Sequence, residues 1–132
     1  MFNRLFDTKL AAWRDRPGRK PLILRGARQV GKTVGGRRFC GSFDEEVYLN
    51  LDRHPDRTLF SEPLSIRDRL DLIRTVRNVA LRPGHSILFI DEIQECPEAI
   101  ASLRYFHEEV PDLHVIAAGS LLEVMLDREG FS

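Results

Sequence analysis

Cysteine is nearly missing from this 132-residue chain, with Cys40 and Cys96 its only two. Two thiols so far apart form neither a disulfide framework nor a zinc site, and they read as packed thiols in a reducing compartment. Lysine is scarce as well: of 20 basic residues only Lys9, Lys20 and Lys32 are lysines, and most of the arginine is expected on solvated helix faces. An excess of one charge is absent, because 20 acidic residues balance the 20 basic ones. That balance excludes a strongly basic nucleic-acid module and an acidic tail. Long apolar runs are absent too. Stretches such as Ile87 to Ile90 and Val115 to Ala118 are too short to cross a bilayer, and Arg4, Asp7 and Lys9 interrupt the start where a signal-peptide core would lie. A cytoplasmic protein without membrane contact is expected. There is no internal repeat and no low-complexity tract.

What remains is ordinary globular composition, 42% hydrophobic and 30% charged, at a length that suits one domain and not two. A chain of this size can bury roughly two-thirds of its unfolded surface. Periodicity divides it into an amino-terminal helix within 1–16 and a core over 20–132. Phe2, Leu5, Phe6, Leu10 and Trp13 fall at helical spacing. Pro17, Gly18 and Pro21 then mark a loop. Short strands are expected at Leu22 to Leu24, Val47 to Leu51, Ser86 to Ile90 and Leu113 to Ala118. Between them, Ile66, Leu70, Ile73, Val76 and Ala80 predict an amphipathic helix over 64–80, and Pro97 opens another through Ile100, Leu103, Phe106 and Val110. Residues 52–63 read as a loop with a possible helical turn, a further helix is expected over 32–39, and a last one after Ser120. Strands alternating with helices predict an α/β fold with a parallel, helix-covered sheet and right-handed crossovers.

The densest chemical signal is Gly26-Ala27-Arg28-Gln29-Val30-Gly31-Lys32-Thr33, which fits G-x-x-x-x-G-K-[ST] at every fixed position. Gly26 and Gly31 allow backbone conformations closed to other residues, so successive N–H groups can converge on phosphate oxygens. The following helix offers its free N–H groups and positive dipole end to the same anion. Lys32 would then bridge the β- and γ-phosphates of ATP, and the Thr33 hydroxyl would hold Mg²⁺.

The second signal is Ile87-Leu88-Phe89-Ile90-Asp91-Glu92, an apolar strand that ends in two carboxylates. Buried acids are costly unless something cationic meets them. In an open parallel sheet the ligand lies at the carboxyl ends of the strands, so this pair and the phosphate loop can face one crevice. Asp91 is read as supporting Mg²⁺ beside Thr33 and Glu92 as the base that orients or deprotonates the attacking water. Asp91 as a mere cap of the next helix is the structural alternative. Ser120, after the fourth strand, either reaches the γ-phosphate or caps the last helix. Gln94 either faces the nucleotide or sits on a solvent-facing turn. His54, His85, His107 and His114 have no partner at metal-ligand spacing. Trp13, Tyr48 and Tyr105 read as core or half-buried packing rather than adenine platforms, and Arg37-Arg38 as a solvent-exposed pair.

Leu24-Arg25-Gly26-Ala27-Arg28-Gln29-Val30-Gly31-Lys32-Thr33, Tyr48-Leu49-Asn50-Leu51-Asp52, Asp91-Glu92-Ile93-Gln94 and Ala118-Gly119-Ser120 together resemble a family of prokaryotic AAA-type ATPases. Its members carry a carboxyl-terminal domain of unknown function with a nuclease-like fold. The resemblance implies a three-layer P-loop NTPase core, with an added strand between the two Walker motifs and a mainly parallel sheet of about four strands here. It assigns Lys32 and Thr33 to nucleotide and metal, Asp91 and Glu92 to the Walker B pair, and Ser120 to a sensor-like position. Members of that family continue well past the point matching Ser132. A fifth strand, a second sensor and the carboxyl-terminal domain are therefore expected outside these residues. An edge left open on the first strand would invite association. Val34-Gly35-Gly36 departs from the helix formers usual in such proteins, and each glycine costs about 1 kcal/mol in a helix interior. Either that helix frays or its packing demands small residues.

The function expected is Mg²⁺-dependent ATP hydrolysis at the Walker site, with Lys32, Glu92 and Ser120 as the catalytic set, coupled to a protein partner, to a second copy or to a missing domain. The alternative is a nucleotide-binding regulatory module without significant turnover. A helicase-like motor, suggested by the likeness of Asp91-Glu92-Ile93-Gln94 to a DExQ box, lacks a second motor domain, and nothing in the sequence supports nucleic acid as a partner. A small-molecule kinase lacks an acceptor-site signature.

Overall fold

The computed structural model describes residues 4–25 and 36–120. Helix α1 (Arg4–Asp15) precedes strand β1 (Leu22–Arg25). Residues 36–40 are helical (α2), and strand β2 (Glu45–Asn50) follows. A short helix α3 (His54–Arg57) runs into a 3₁₀ turn over Thr58–Phe60, and then come α4 (Ile66–Arg77) and β3 (Ser86–Asp91). A second 3₁₀ turn over Ile93–Glu95 leads to α5 (Pro97–Glu109) and β4 (His114–Gly119).

All strand pairs are parallel, in the order β1-β4-β3-β2. The chain therefore crosses from β1 to the far edge and works back, so that β4 is inserted between β1 and β3. This is the α/β sheet with helices that the element pattern predicted, and β4 between β1 and β3 is the added strand that the resemblance implied. Four strands lie among the described residues.

Side-chain alternation sorts the core into two layers. Val47, Leu49, Leu88, Ile90, Val115 and Ala117 meet α4, α5 and the Thr58–Phe60 turn on one face. Leu24, Ile87, Phe89, Ile116 and Ala118 meet Trp13 of α1 and Cys40 of α2 on the other. Every residue of β3 is buried, which its apolar run requires.

Several expected boundaries and faces shift. Helix α4 is shorter than 64–80 because the Ser65 hydroxyl accepts from the Asp68 N–H at 3.1 Å and Asn78 closes the helix in the left-handed region at φ 54°. Ala80 lies outside it, and Val76 is 57% exposed, since the buried stripe is Ile66, Leu70 and Ile73. Leu5 is 65% exposed, because it stands five residues before the buried Leu10, on the opposite side of α1. Tyr105 is exposed rather than packed. Within 52–63, α3 is held by Asp56, a buried carboxylate that accepts from the Asn50 N–H at 2.8 Å and from Arg77 at 2.7 Å.

Gly36 answers the question posed by the glycine pair in part. A Cβ there would stand 2.9 Å from Phe89 Cε2 and 3.2 Å from Leu24 Cδ1. The start of α2 thus lies directly on β1 and β3, and a side chain at that position would have to displace the Phe89 ring. Gly35 lies outside the described residues.

Candidate functional site

The carboxyl ends of β3 and β4 gather the acidic pair and its neighbours. Asp91, the last residue of β3, is only 8% exposed. It shares a sheet face with Phe89, the face that α1 and α2 cover, by the alternation of the strand. Both of its oxygens are engaged. The Tyr48 hydroxyl donates to Oδ2 at 2.6 Å from the adjacent strand, and the Glu92 N–H donates to Oδ1 at 2.9 Å. Burial first, and then the bond to Asp91, raise the Tyr48 phenol above its ordinary pKa, so it stays a donor. The Arg37 guanidinium lies 3.8 Å from the centre of the Tyr48 ring, a cation–π contact that closes this side of the site. Asp91 does not cap the following helix: Cys96 stands at the N-cap of α5, with no side-chain capping bond.

Glu92 leaves the strand in the left-handed region, at φ 51° and ψ 43°. A side chain there costs about 1 kcal/mol or more, and the turn directs the Glu92 carboxylate to Gln94. Gln94 Nε2 donates to Glu92 Oε1 at 2.8 Å, and Gln94 Oε1 accepts from the Ser120 N–H at 3.2 Å. Gln94 is therefore neither directed at bulk solvent nor idle. It joins the end of β3 to the end of β4.

Of the residues expected at the site, Asp91, Glu92 and Ser120 are brought to one edge of the sheet. Gly26, Ala27, Arg28, Gln29, Val30, Gly31, Lys32 and Thr33 lie outside the described residues, as does the helix that Ser120 was expected to cap. The chain nevertheless enters that segment from β1, whose Arg25 pairs in register with Gly119. It leaves the segment into α2 on the Asp91 side of the sheet. A carboxylate with hydrogen-bonded but unsaturated oxygens, and no ion pair among the described residues, is a hard donor of the kind Mg²⁺ prefers. An open cavity of about 320 Å³, lined by residues of α4 and α5 such as Arg69, Glu98 and Tyr105, belongs to the other layer.

Sequence reasoning missed Tyr48 as a partner of Asp91, the Asp56–Arg77 ion pair at 2.7 Å, and Arg69, a buried guanidinium that donates to the Leu59 and Glu62 carbonyls. Alternation in β2 was the available signal for Tyr48, since Val47 and Leu49 must face the other layer. Arg37 and Arg38 are both exposed, as expected, and Arg38 also pairs with Asp7 at 3.0 Å. Trp13 is buried and donates to the Lys20 carbonyl at 2.8 Å. Among the described residues, no cluster of histidine, cysteine and acidic side chains could hold a metal, and no helix is long and apolar enough to cross a membrane.

Comparison with known proteins adds three findings. No curated protein matches the chain. The solved structure of the Walker-type ATPase of Pyrococcus abyssi has a TM-score of 0.60 and 20% identity to it, covering 96% of this chain and 48% of that one. The likeness is one of fold, and this chain spans about half the length of that structure. A family model described as an AAA domain matches residues 18–130. With that match over most of its length and a β1-β4-β3-β2 parallel sheet beneath it, the chain belongs to the AAA domain family.

Proposed function

We propose that the chain binds Mg·ATP and hydrolyses it by in-line attack of water on the γ-phosphate. The observation that carries this reading is the Asp91-Glu92 pair at the carboxyl end of β3, with Asp91 on the sheet face covered by α2. The chain passes through Gly26 to Thr33 between β1 and that helix. By their motif, Gly26 to Thr33 would offer backbone N–H groups to the phosphates, Lys32 would hold the β- and γ-phosphate oxygens, and the Thr33 hydroxyl would hold magnesium. Bound magnesium supplies charge neutralisation on the β- and γ-phosphate oxygens. Asp91, fixed by Tyr48 and by the Glu92 N–H, is held in one orientation as the carboxylate that supports the metal. Glu92 takes the proton of the attacking water, and Ser120 contacts the γ-phosphate or that water.

Turnover would drive a change in an attached or associated protein, whether a partner, a second copy or a further domain. A cytoplasmic setting is part of the proposal. It is supported by two buried free thiols, of which Cys40 is pushed up to about 12 chiefly by burial and is correspondingly unreactive.

Calorimetric titration with Mg·ATP tests the reading. Wild-type chain should bind and Lys32→Ala should lose at least about tenfold in affinity, while Glu92→Gln should keep binding and lose about 10²-fold or more in turnover. Equal binding by Lys32→Ala refutes the phosphate loop, and unchanged turnover in Glu92→Gln refutes the base. Binding with no turnover would leave the regulatory-module reading.

A further inference from the structure

Gln94 has no role of its own in the nucleotide reading, yet both of its amide atoms are spent on groups that reading uses. Its Nε2 lies 2.8 Å from Glu92 Oε1, and its Oε1 lies 3.2 Å from the backbone nitrogen of Ser120. The orientation of the amide follows from the partners, since a carboxylate can only accept and a backbone N–H can only donate. The fit is close. A Cβ on Gly119 would collide with Gln94 Oε1 and approach the Ile93 nitrogen to 3.2 Å, so the amide lies against a bare stretch of β4 backbone. Gly119 has an ordinary backbone conformation and is absent from the positive-φ glycines. Its bareness therefore serves this approach and not a turn.

Glu92 is otherwise loosely specified. It leaves β3 through a left-handed residue, and among the described residues its Oε2 has no partner. One oxygen tied and one open is the arrangement that a base acting on water needs. We infer that Gln94 is a positioning residue: it fixes the Glu92 carboxylate through Oε1, leaves Oε2 for the attacking water, and ties that geometry to the Ser120 end of β4. A displacement of Ser120 on phosphate contact is then transmitted to the base through a single side chain. The inference rests on the hydrolysis reading above.

The test is a double-mutant cycle in turnover, with binding measured alongside. Gln94→Ala should lower kcat about tenfold with KM and Mg·ATP affinity within about twofold, because positioning of a base acts in the transition state alone. Gln94→Glu, which sets a carboxylate against a carboxylate, should lose at least as much. Gly119→Ala, which displaces the amide without removing it, should reproduce the loss. In the Glu92→Gln background, Gln94→Ala should change turnover less than about twofold, since a residue acting through Glu92 has nothing left to position. An equal fall in both backgrounds, or no fall in the wild-type background, overturns the inference and leaves the hydrolysis reading intact. If the wild-type chain shows no turnover, or Glu92→Gln matches it, the hydrolysis reading falls and the role in turnover falls with it. The bridge itself is then judged by the side-chain carboxyl ¹³C resonance of Glu92. A shift of that resonance on Gln94→Ala supports the bridge, and no shift removes it.

Discussion

Tyr48→Phe deletes one atom and isolates the hydrogen bond that fixes Asp91. The phenol oxygen is 2.6 Å from Oδ2 of a carboxylate only 8% exposed, and the other oxygen, Oδ1, keeps its bond to the Glu92 N–H. Hydrogen bonds to charged groups contribute about 1.5–3 kcal/mol net. Deleting the hydroxyl also removes its own cost of burial, and Tyr48 is only half-buried, so the lower part of that range applies. The expected loss is about 1.5–2 kcal/mol, or roughly 5–7 °C in Tm for a domain of this size. The ring stays, and with it the contacts to Phe89, 5.5 Å away between centroids, and to Arg37. Packing is therefore unchanged, and the number reports the bond alone. Urea unfolding followed by fluorescence is the natural assay, because Trp13 is the only tryptophan and is 5% exposed. Tyr105→Phe, at a tyrosine 47% exposed, is the control and should stay within about 0.5 kcal/mol of wild type. A Tyr48→Phe loss no larger than the control would refute the account of how Asp91 is held.

Two more perturbations test the frame around the site. Gly36→Ala gains about 1 kcal/mol of helix propensity but forces a methyl against the buried Phe89 ring, an overpacking cost of about 1–3 kcal/mol; the expected net is a loss of up to about 2 kcal/mol in urea unfolding, and a stabilised variant would refute the close approach of α2. His114 is held neutral: its Nε2–H donates to the Arg14 carbonyl at 2.9 Å and its Nδ1 accepts from Arg19 at 2.9 Å, while burial, the larger cause, and these cations lower its pKa from 6.5. The unfolded chain binds the proton more readily, so this contribution is complete above about pH 6.5 and is lost as the pH falls through the folded value; His114→Gln should flatten that part of a stability-against-pH profile, and an unchanged slope would remove the assignment.

Much of the architecture was legible because the signals are local. The runs Ile87 to Ile90 and Val115 to Ala118 read as strands covered on both faces, and every residue of them is buried. Pro97 marked the first turn of α5. The failures came where a side chain's fate depends on what lies beside it. Leu5 and Val76 matched a helical period but lie off the buried stripes of their helices, and among the described residues no element covers them. Gly36 read as a weak point in a helix, and only the approach of Phe89 and Leu24 turns it into a requirement. Asp91 and Glu92 were found from a strand followed by charge. Their partners were not, since Tyr48 reaches Asp91 only because β2 pairs with β3, with Tyr48 opposite Phe89 in the register. Gln94 is two residues from Glu92, but its direction depends on the left-handed turn at Glu92, which no composition rule predicts.

These partners account for how two adjacent carboxylates can be given different work. Asp91 keeps the alternation of β3 and is held from both sides within the layer of α2, which suits a fixed charge that supports a metal. The single left-handed residue that follows rotates Glu92 out of that alternation and toward β4. There Gln94 holds one of its oxygens, and the other has no partner among the described residues. The strain at Glu92 is thus the device that sends the two carboxylates in different directions, since an extended residue there would have sent its side chain to the opposite sheet face, into the layer of Ile90 and Ala117. A carboxylate buried in that apolar layer would be protonated or destabilising. The left-handed turn avoids that outcome and delivers the Glu92 carboxylate to the strand end that carries Ser120.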